Sequence, residues 1–164
     1  MEKNLENQEA IDKLKKIAED VRICMLASAD GENGPHGWPM STIKVEDDGT
    51  LWFFTKDQQA VTDRLQNDHD VTLFYSHPGK NEYLTVQGSV TFVSDRAKME
   101  ELYTPVLKAW FPNGLDEPDI VLLKVAPNEA HYWDADAAKT VVLFSMANAA
   151  KTGEIGNHGE LVIN

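Results

Sequence analysis

A chain of 164 residues with 42% hydrophobic content can bury roughly 70% of the surface its unfolded form exposes, enough for one core without cross-links. Its 27 acidic residues against 15 basic ones leave a formal charge of −12, which disfavours nucleic acid and anionic membrane as partners. One cysteine excludes an intrachain disulfide and a multi-cysteine zinc site; no stretch is apolar enough to span a bilayer and the first 20 residues carry no signal-peptide pattern, so the expected location is the cytoplasm.

Ile11, Leu14, Ile17, Ala18 and Val21 recur at helical spacing, and Asn7 is placed to cap the first turn. Residues 21–28 are then almost continuously apolar, the pattern of a strand buried on both faces, and Cys24 within it reads as an inert core thiol. Turn formers at 30–35 lead to a second strand at 36–46, and Asp47-Asp48-Gly49 turns it into a third at 51–56. A short helix is expected over 59–67, then a strand at 71–76, broken by His77-Pro78-Gly79-Lys80-Asn81. The strand at 83–93 carries an isolated Gly88, the mark of a bulge or a barrel bend. Ser94 or Asp95 caps a helix carrying Met99, Leu102, Tyr103, Leu107 and Trp110, which Pro105 should kink or split, with Thr104 as a second cap. A strand at 120–126 continues through 130–134 past Pro127-Asn128, and a last helix is expected over 137–151 before a polar tail from about 152 to 164. About six strands joined mostly by hairpins predict one mainly β (α+β) domain, a six-stranded antiparallel barrel with peripheral helices.

Trp52-Phe53-Phe54-Thr55-Lys56 carries the clearest chemical signal. A strand that ends in a hydroxyl and a cation just before a helix N-terminus offers a flat apolar wall together with phosphate donors, which suits flavin mononucleotide (FMN). The same residues read as a strand that only fills a core. His36, His69, His77, His131 and His158 show no metal-ligand spacing, and Asp116-Glu117-Pro118-Asp119 reads as a solvated acidic loop. There is no Gly-rich dinucleotide loop and no Ser-His-Asp pattern.

The order of motifs is similar to that of a known family. Pro39-Met40 after a Gly-rich turn, Trp52-Phe53-Phe54-Thr55 and Tyr83-Leu84-Thr85-Val86-Gln87-Gly88 come first. Lys108-Ala109-Trp110-Phe111-Pro112-Asn113-Gly114, Pro118-Asp119-Ile120-Val121-Leu122-Leu123 and Ala130-His131-Tyr132-Trp133-Asp134 follow. Together, over roughly residues 8–153, they resemble the general stress protein branch of the pyridoxamine 5′-phosphate oxidase-like superfamily. The resemblance implies a split β-barrel of Greek-key-like topology, a homodimer, and FMN at the dimer interface. Carried over residue by residue, it implies a cofactor site formed by Trp38, Pro39, Met40, Phe54, Thr55, Lys56, Gln59, Arg64, Tyr83 and Trp110.

Two positions depart from the family. Trp38 stands where relatives have an arginine before Pro-Met, and Gln59-Ala60-Val61 carries no cation where they place one on the phosphate. Each missing charge-assisted hydrogen bond is worth about 1.5–3 kcal/mol. Lys56, Arg64 and the free N–H groups of the helix at Gln59 are the candidates to compensate. Single residues leave alternatives open: Trp38 stacks on a ring or plugs the barrel mouth, Trp110 and Phe111 touch cofactor or clamp a dimer, and Tyr132-Trp133 belongs to a core strand or to a site.

A true pyridoxamine 5′-phosphate oxidase holds its substrate phosphate with arginines near the C-terminus. Here the arginines are Arg22, Arg64 and Arg96, which argues against that substrate. The expectation is an FMN-binding oxidoreductase acting on another small molecule, with no acid or base standing out as catalytic. A non-catalytic flavin-binding or sequestering protein and a cofactor-free structural dimer are the alternatives, with haem or a deazaflavin as a minor one.

Overall fold

Helix α1 (Asn7–Val21) forms where Ala10, Leu14, Ile17 and Ala18 fall on one face, and all four are buried against the barrel interior. The computed structural model describes residues 5–28, 34–56, 69–134 and 140–144, with backbone alone at 5–7 and 140–144. A two-residue strand β1 (Leu5–Glu6) precedes α1, and β2 (Ile23–Ser28), β3 (His36–Val45) and β4 (Leu51–Lys56) follow as a meander. Strands β5 (Asp70–His77) and β6 (Glu82–Val93) form a hairpin across a 3-10 turn at Pro78–Lys80. Helix α2 (Arg96–Leu102), 3-10 turns at Pro105–Ala109 and Gly114–Asp116, and strands β7 (Ile120–Trp133) and β8 (Thr140–Phe144) complete the order.

The strands close on themselves. Around the barrel they run β7-β4-β3-β2-β5-β6 and return to β7, every neighbour antiparallel. β5 comes back from β4 to lie beside β2, the Greek-key arrangement. The split comes from β7, which is longer than its partners. Its first half, Ile120 to Val125, pairs with β4, and its second half, Ala130 to Trp133, pairs with β8, while β6 runs along its other edge.

Two apolar clusters result. Leu26, Val45, Leu51, Phe53, Leu73, Tyr75, Leu84 and Leu123 fill the barrel. Trp52, Phe54 and Leu122 point outward from β4 and β7 and are covered by Met99, Leu102, Leu107 and Phe111. The strand buried on both faces is therefore β4. The same expectation for residues 21–28 is corrected: β2 buries alternate residues only, leaving Ile23 49% and Met25 45% exposed, because no described element packs over its outer face. Tyr132 joins the barrel core and Trp133 is half-buried.

Proline and glycine act as read. Asp95 caps α2 by accepting from the Ala97 and Lys98 N–H groups, and Pro105 opens a separate 3-10 turn after the helix ends at Leu102. Thr104 stands at the cap position of that turn without a side-chain bond. Asp47-Asp48-Gly49 makes the β3–β4 turn with Gly49 at φ 92°. The expected last helix is corrected over Thr140–Phe144. Thr-Val-Val-Leu-Phe is rich in β-branched and aromatic residues, and the free edge of β7 gives it a pairing partner that outweighs helix periodicity. Residues 137–139, the stretch 145–151, the tail at 152–164 and the helix read at 59–67 lie outside the described residues. Among the described residues no helix is long and apolar enough to cross a membrane, and no group of three or more metal-ligating side chains occurs.

Gly88 sits at the register shift between β6 and β7, and a Cβ there would lie 2.5 Å from the Ala126 carbonyl oxygen. Gly88→Ala is expected to cost about 1–3 kcal/mol in urea unfolding, through backbone that cannot yield. Cys24 is buried beside Tyr75 and Thr42, whose hydroxyls lie 2.6 Å apart. Burial pushes the Cys24 thiol up to about 12 from an ordinary value of 9.0. The unfolded chain releases this proton first, so its contribution is intact below pH 9 and falls as pH rises toward 12. Between pH 8 and pH 10 the unfolding free energy should drop by about 1 kcal/mol more in the wild type than in Cys24→Ala.

Candidate functional site

Alternation along β3 and β4 places chemistry on both faces at one end of the barrel. Trp38, Met40 and Thr42 turn inward, Pro39 and Ser41 outward, and β4 sends Phe54 outward toward the segment after α2. That segment folds into an arch. The Phe111 N–H bonds the Leu107 carbonyl at 2.7 Å, and the Gly114 N–H bonds the Phe111 carbonyl at 2.8 Å. Gly114 has φ 59°, and a Cβ there would meet the Tyr103 hydroxyl at 3.2 Å, so the Trp-Phe-Pro-Asn-Gly block needs its glycine for both backbone and space.

Between sheet and arch lies a cleft of about 280 Å³. β3 lines it with Trp38, Pro39, Met40 and Ser41, β4 with Phe54, Thr55 and Lys56, and the arch with Leu107, Trp110 and Phe111. Seven of the ten residues read from the sequence thus meet in one place: Trp38, Pro39, Met40, Phe54, Thr55, Lys56 and Trp110. Trp38 packs against the barrel core and also lines the cleft. Phe111 is buried and supports the wall, whereas Trp110 is 46% exposed. Gln59 and Arg64 lie outside the described residues. Tyr83 does not line this cleft. It stands on β6 in register with Ser76 and Trp133, three strands away from β3.

Charge in the cleft is sparse. Among the described residues Lys56 is the one ionisable residue lining it, and its ammonium lies 3.6 Å from Glu117 Oε2. The Thr55 hydroxyl reaches the Lys56 carbonyl at 3.5 Å, the outer limit of a hydrogen bond. Glu117 corrects the reading of 116–119 as a solvated loop. Asp116 is exposed, but the Glu117 side chain is only 10% exposed and accepts the Asn113 N–H at 3.2 Å. Ser41, Leu107 and Phe111 were not in the sequence-derived set, nor was Glu117. The signal for Phe111 was present in the motif block, but Glu117 owes its place to the Gly114 turn, which composition does not announce.

The outer face continues past the cleft. Met25 pairs with Pro39 on one side and Phe74 on the other, and Ile23 pairs with Ser41. Ile23, Met25 and Phe74 are each 45–49% exposed, so a bare apolar ledge adjoins the cleft on the same face of the sheet.

Comparison with known proteins agrees with this architecture. The sequence model of the family described as "Pyridoxamine 5'-phosphate oxidase like" matches residues 9–157. A protein related to general stress protein 26 from Clostridium acetobutylicum superposes with a TM-score of 0.70 at 24% identity, covering 82% of this chain and 94% of that one, a likeness of fold. The general stress FMN/FAD binding protein of Xanthomonas citri gives a TM-score of 0.65 at 27% identity, over 78% of this chain and 89% of that one. Protein bli-3 of Neurospora crassa is 28% identical over 100 residues, 56% of this chain; the match spans about half, 47%, of that curated relative's length.

Proposed function

The chain belongs to the pyridoxamine 5′-phosphate oxidase-like family, and we propose from that premise that its cleft holds a flavin, FMN, between two copies of the chain. The residues present suit such a group. Pro39, Phe54, Trp110 and Phe111 offer apolar surface to a flat ring, and Thr55 offers a hydroxyl to its tail beside Lys56, whose ammonium is paired with Glu117. The likeness to the Xanthomonas citri protein, described as FMN/FAD binding, supports the same ligand class.

The single observation that carries the reading is the continuity of cleft and ledge. At about 280 Å³ the half-open cleft falls just under the range of ≈ 300–1,000 Å³ typical of small-molecule sites. A second copy seated on Ile23, Met25 and Phe74 would cover apolar surface that a monomer leaves wet and would wall the cleft at the same time.

When bound, the flavin ring supplies hydride transfer; this chain's residues hold the ring, exclude water from it and fix its tail. The reaction is an oxidation or reduction of a small molecule other than pyridoxamine 5′-phosphate. A second reading, a flavin carrier without turnover, is favoured by one fact: no histidine, cysteine or carboxylate lines the cleft among the described residues. Turnover with a nicotinamide donor and an electron acceptor separates the two.

Titrating the protein with FMN while following flavin fluorescence tests the site. Met25→Lys combined with Phe74→Lys should weaken FMN at least tenfold with an unchanged circular dichroism spectrum, because both side chains are half exposed and outside the core. Unaltered affinity in that variant would remove the ledge from the site.

A further inference from the structure

We infer that Glu117 sets the charge selectivity of the cleft, holding Lys56 neutralised so that the site grips the flavin ring and discriminates little for a phosphorylated tail. The inference rests on the cleft being a flavin site. Lys56 is the cation that lines the cleft among the described residues, and its ammonium faces Glu117 Oε2 at 3.6 Å. An ion pair between two waving surface chains would yield readily to a phosphate. This one is built differently on its acidic side.

The carboxylate is 10% exposed and its Oε1 accepts the Asn113 N–H at 3.2 Å. Its backbone N–H bonds the Gly114 carbonyl at 3.2 Å, in the turn that Gly114 closes against Tyr103. Its own carbonyl accepts the Ile120 N–H at 3.3 Å. Glu117 is thus anchored from three sides, while Lys56, about a third exposed, is the more accessible partner. A doubly charged phosphate that approaches Lys56 meets a fixed carboxylate beside the same ammonium, and the repulsion offsets much of the attraction. A neutral ribityl tail meets no such opposition. Among the described residues, with Trp38 where relatives carry an arginine, this pair is the one charged group beside the cleft.

Flavin fluorescence titrations of riboflavin and FMN against wild type, Glu117→Gln and the double variant Glu117→Gln with Lys56→Gln test it. Gln keeps an oxygen for the Asn113 N–H, and riboflavin binding reports that the fold is intact. Wild type is expected to bind the two flavins within about threefold of each other. Glu117→Gln should tighten FMN roughly tenfold and leave riboflavin within about twofold, and the added Lys56→Gln should abolish the gain. A wild type that prefers FMN a hundredfold, or a Glu117→Gln variant that shifts neither flavin or both alike, would overturn the role of Glu117 and leave the flavin site standing. Failure of both flavins to bind any of the three proteins would overturn the site itself and this inference with it.

Discussion

An antiparallel barrel satisfies its backbone completely but buries only one side of each strand, and the fate of the other side decides everything else in this protein. Inward residues of all six strands fill the interior around Phe53, Leu73 and Tyr75. Outward residues divide. On β4 and β7 they are covered by α2 and the arch behind it, which makes β4 a strand with no solvent face. On β2 and β5 many stay exposed, Ile23, Met25 and Phe74 among them beside polar Asp70 and Ser76. Apolar side chains clustered on an exposed face cost solubility in a protein whose charge otherwise keeps it apart from its neighbours, so the ledge is most economically understood as a surface made to be covered. The cleft lies where the covered and uncovered regions meet, and both regions shape it.

The same boundary governs the electrostatics. The arch that covers Trp52 and Phe54 ends in a glycine turn, and the turn swings Glu117 back against the end of β4. Covering the aromatic strand and positioning a carboxylate beside Lys56 are therefore consequences of one local fold. Among the described residues the cleft has apolar walls and one cation, paired with a carboxylate, the setting the proposed reading of a planar ring rests on.

Much of this was legible in the sequence because the signals were local. Turn residues such as Gly49, the split at Pro105 and the bulge at Gly88 act within a few positions, and the order of strands followed from them. The candidate residues came from the family resemblance, and Trp38 to Met40 and Phe54 to Lys56 fall together because they lie on adjacent strands joined by a tight turn. What escaped depended on distant partners. An apolar run looks the same whether one face or two are buried, and β2 differs from β4 only in what packs over it. Thr140–Phe144 became a strand because β7 is long enough to offer an edge, a fact of topology rather than propensity. Glu117 could not be told from its solvated neighbours Asp116 and Asp119, since its burial depends on a turn and on a lysine 61 positions earlier.

The account stands on one claim, that two copies of the chain meet over the ledge and enclose a flavin between them. Sedimentation equilibrium of the protein mixed with FMN, read at flavin and protein wavelengths in the same cell, measures this directly. Flavin absorbance that travels with a species of twice the chain mass, at one flavin per chain, is the result predicted. Flavin that travels with single chains, or that stays unbound while the protein sediments, would contradict it.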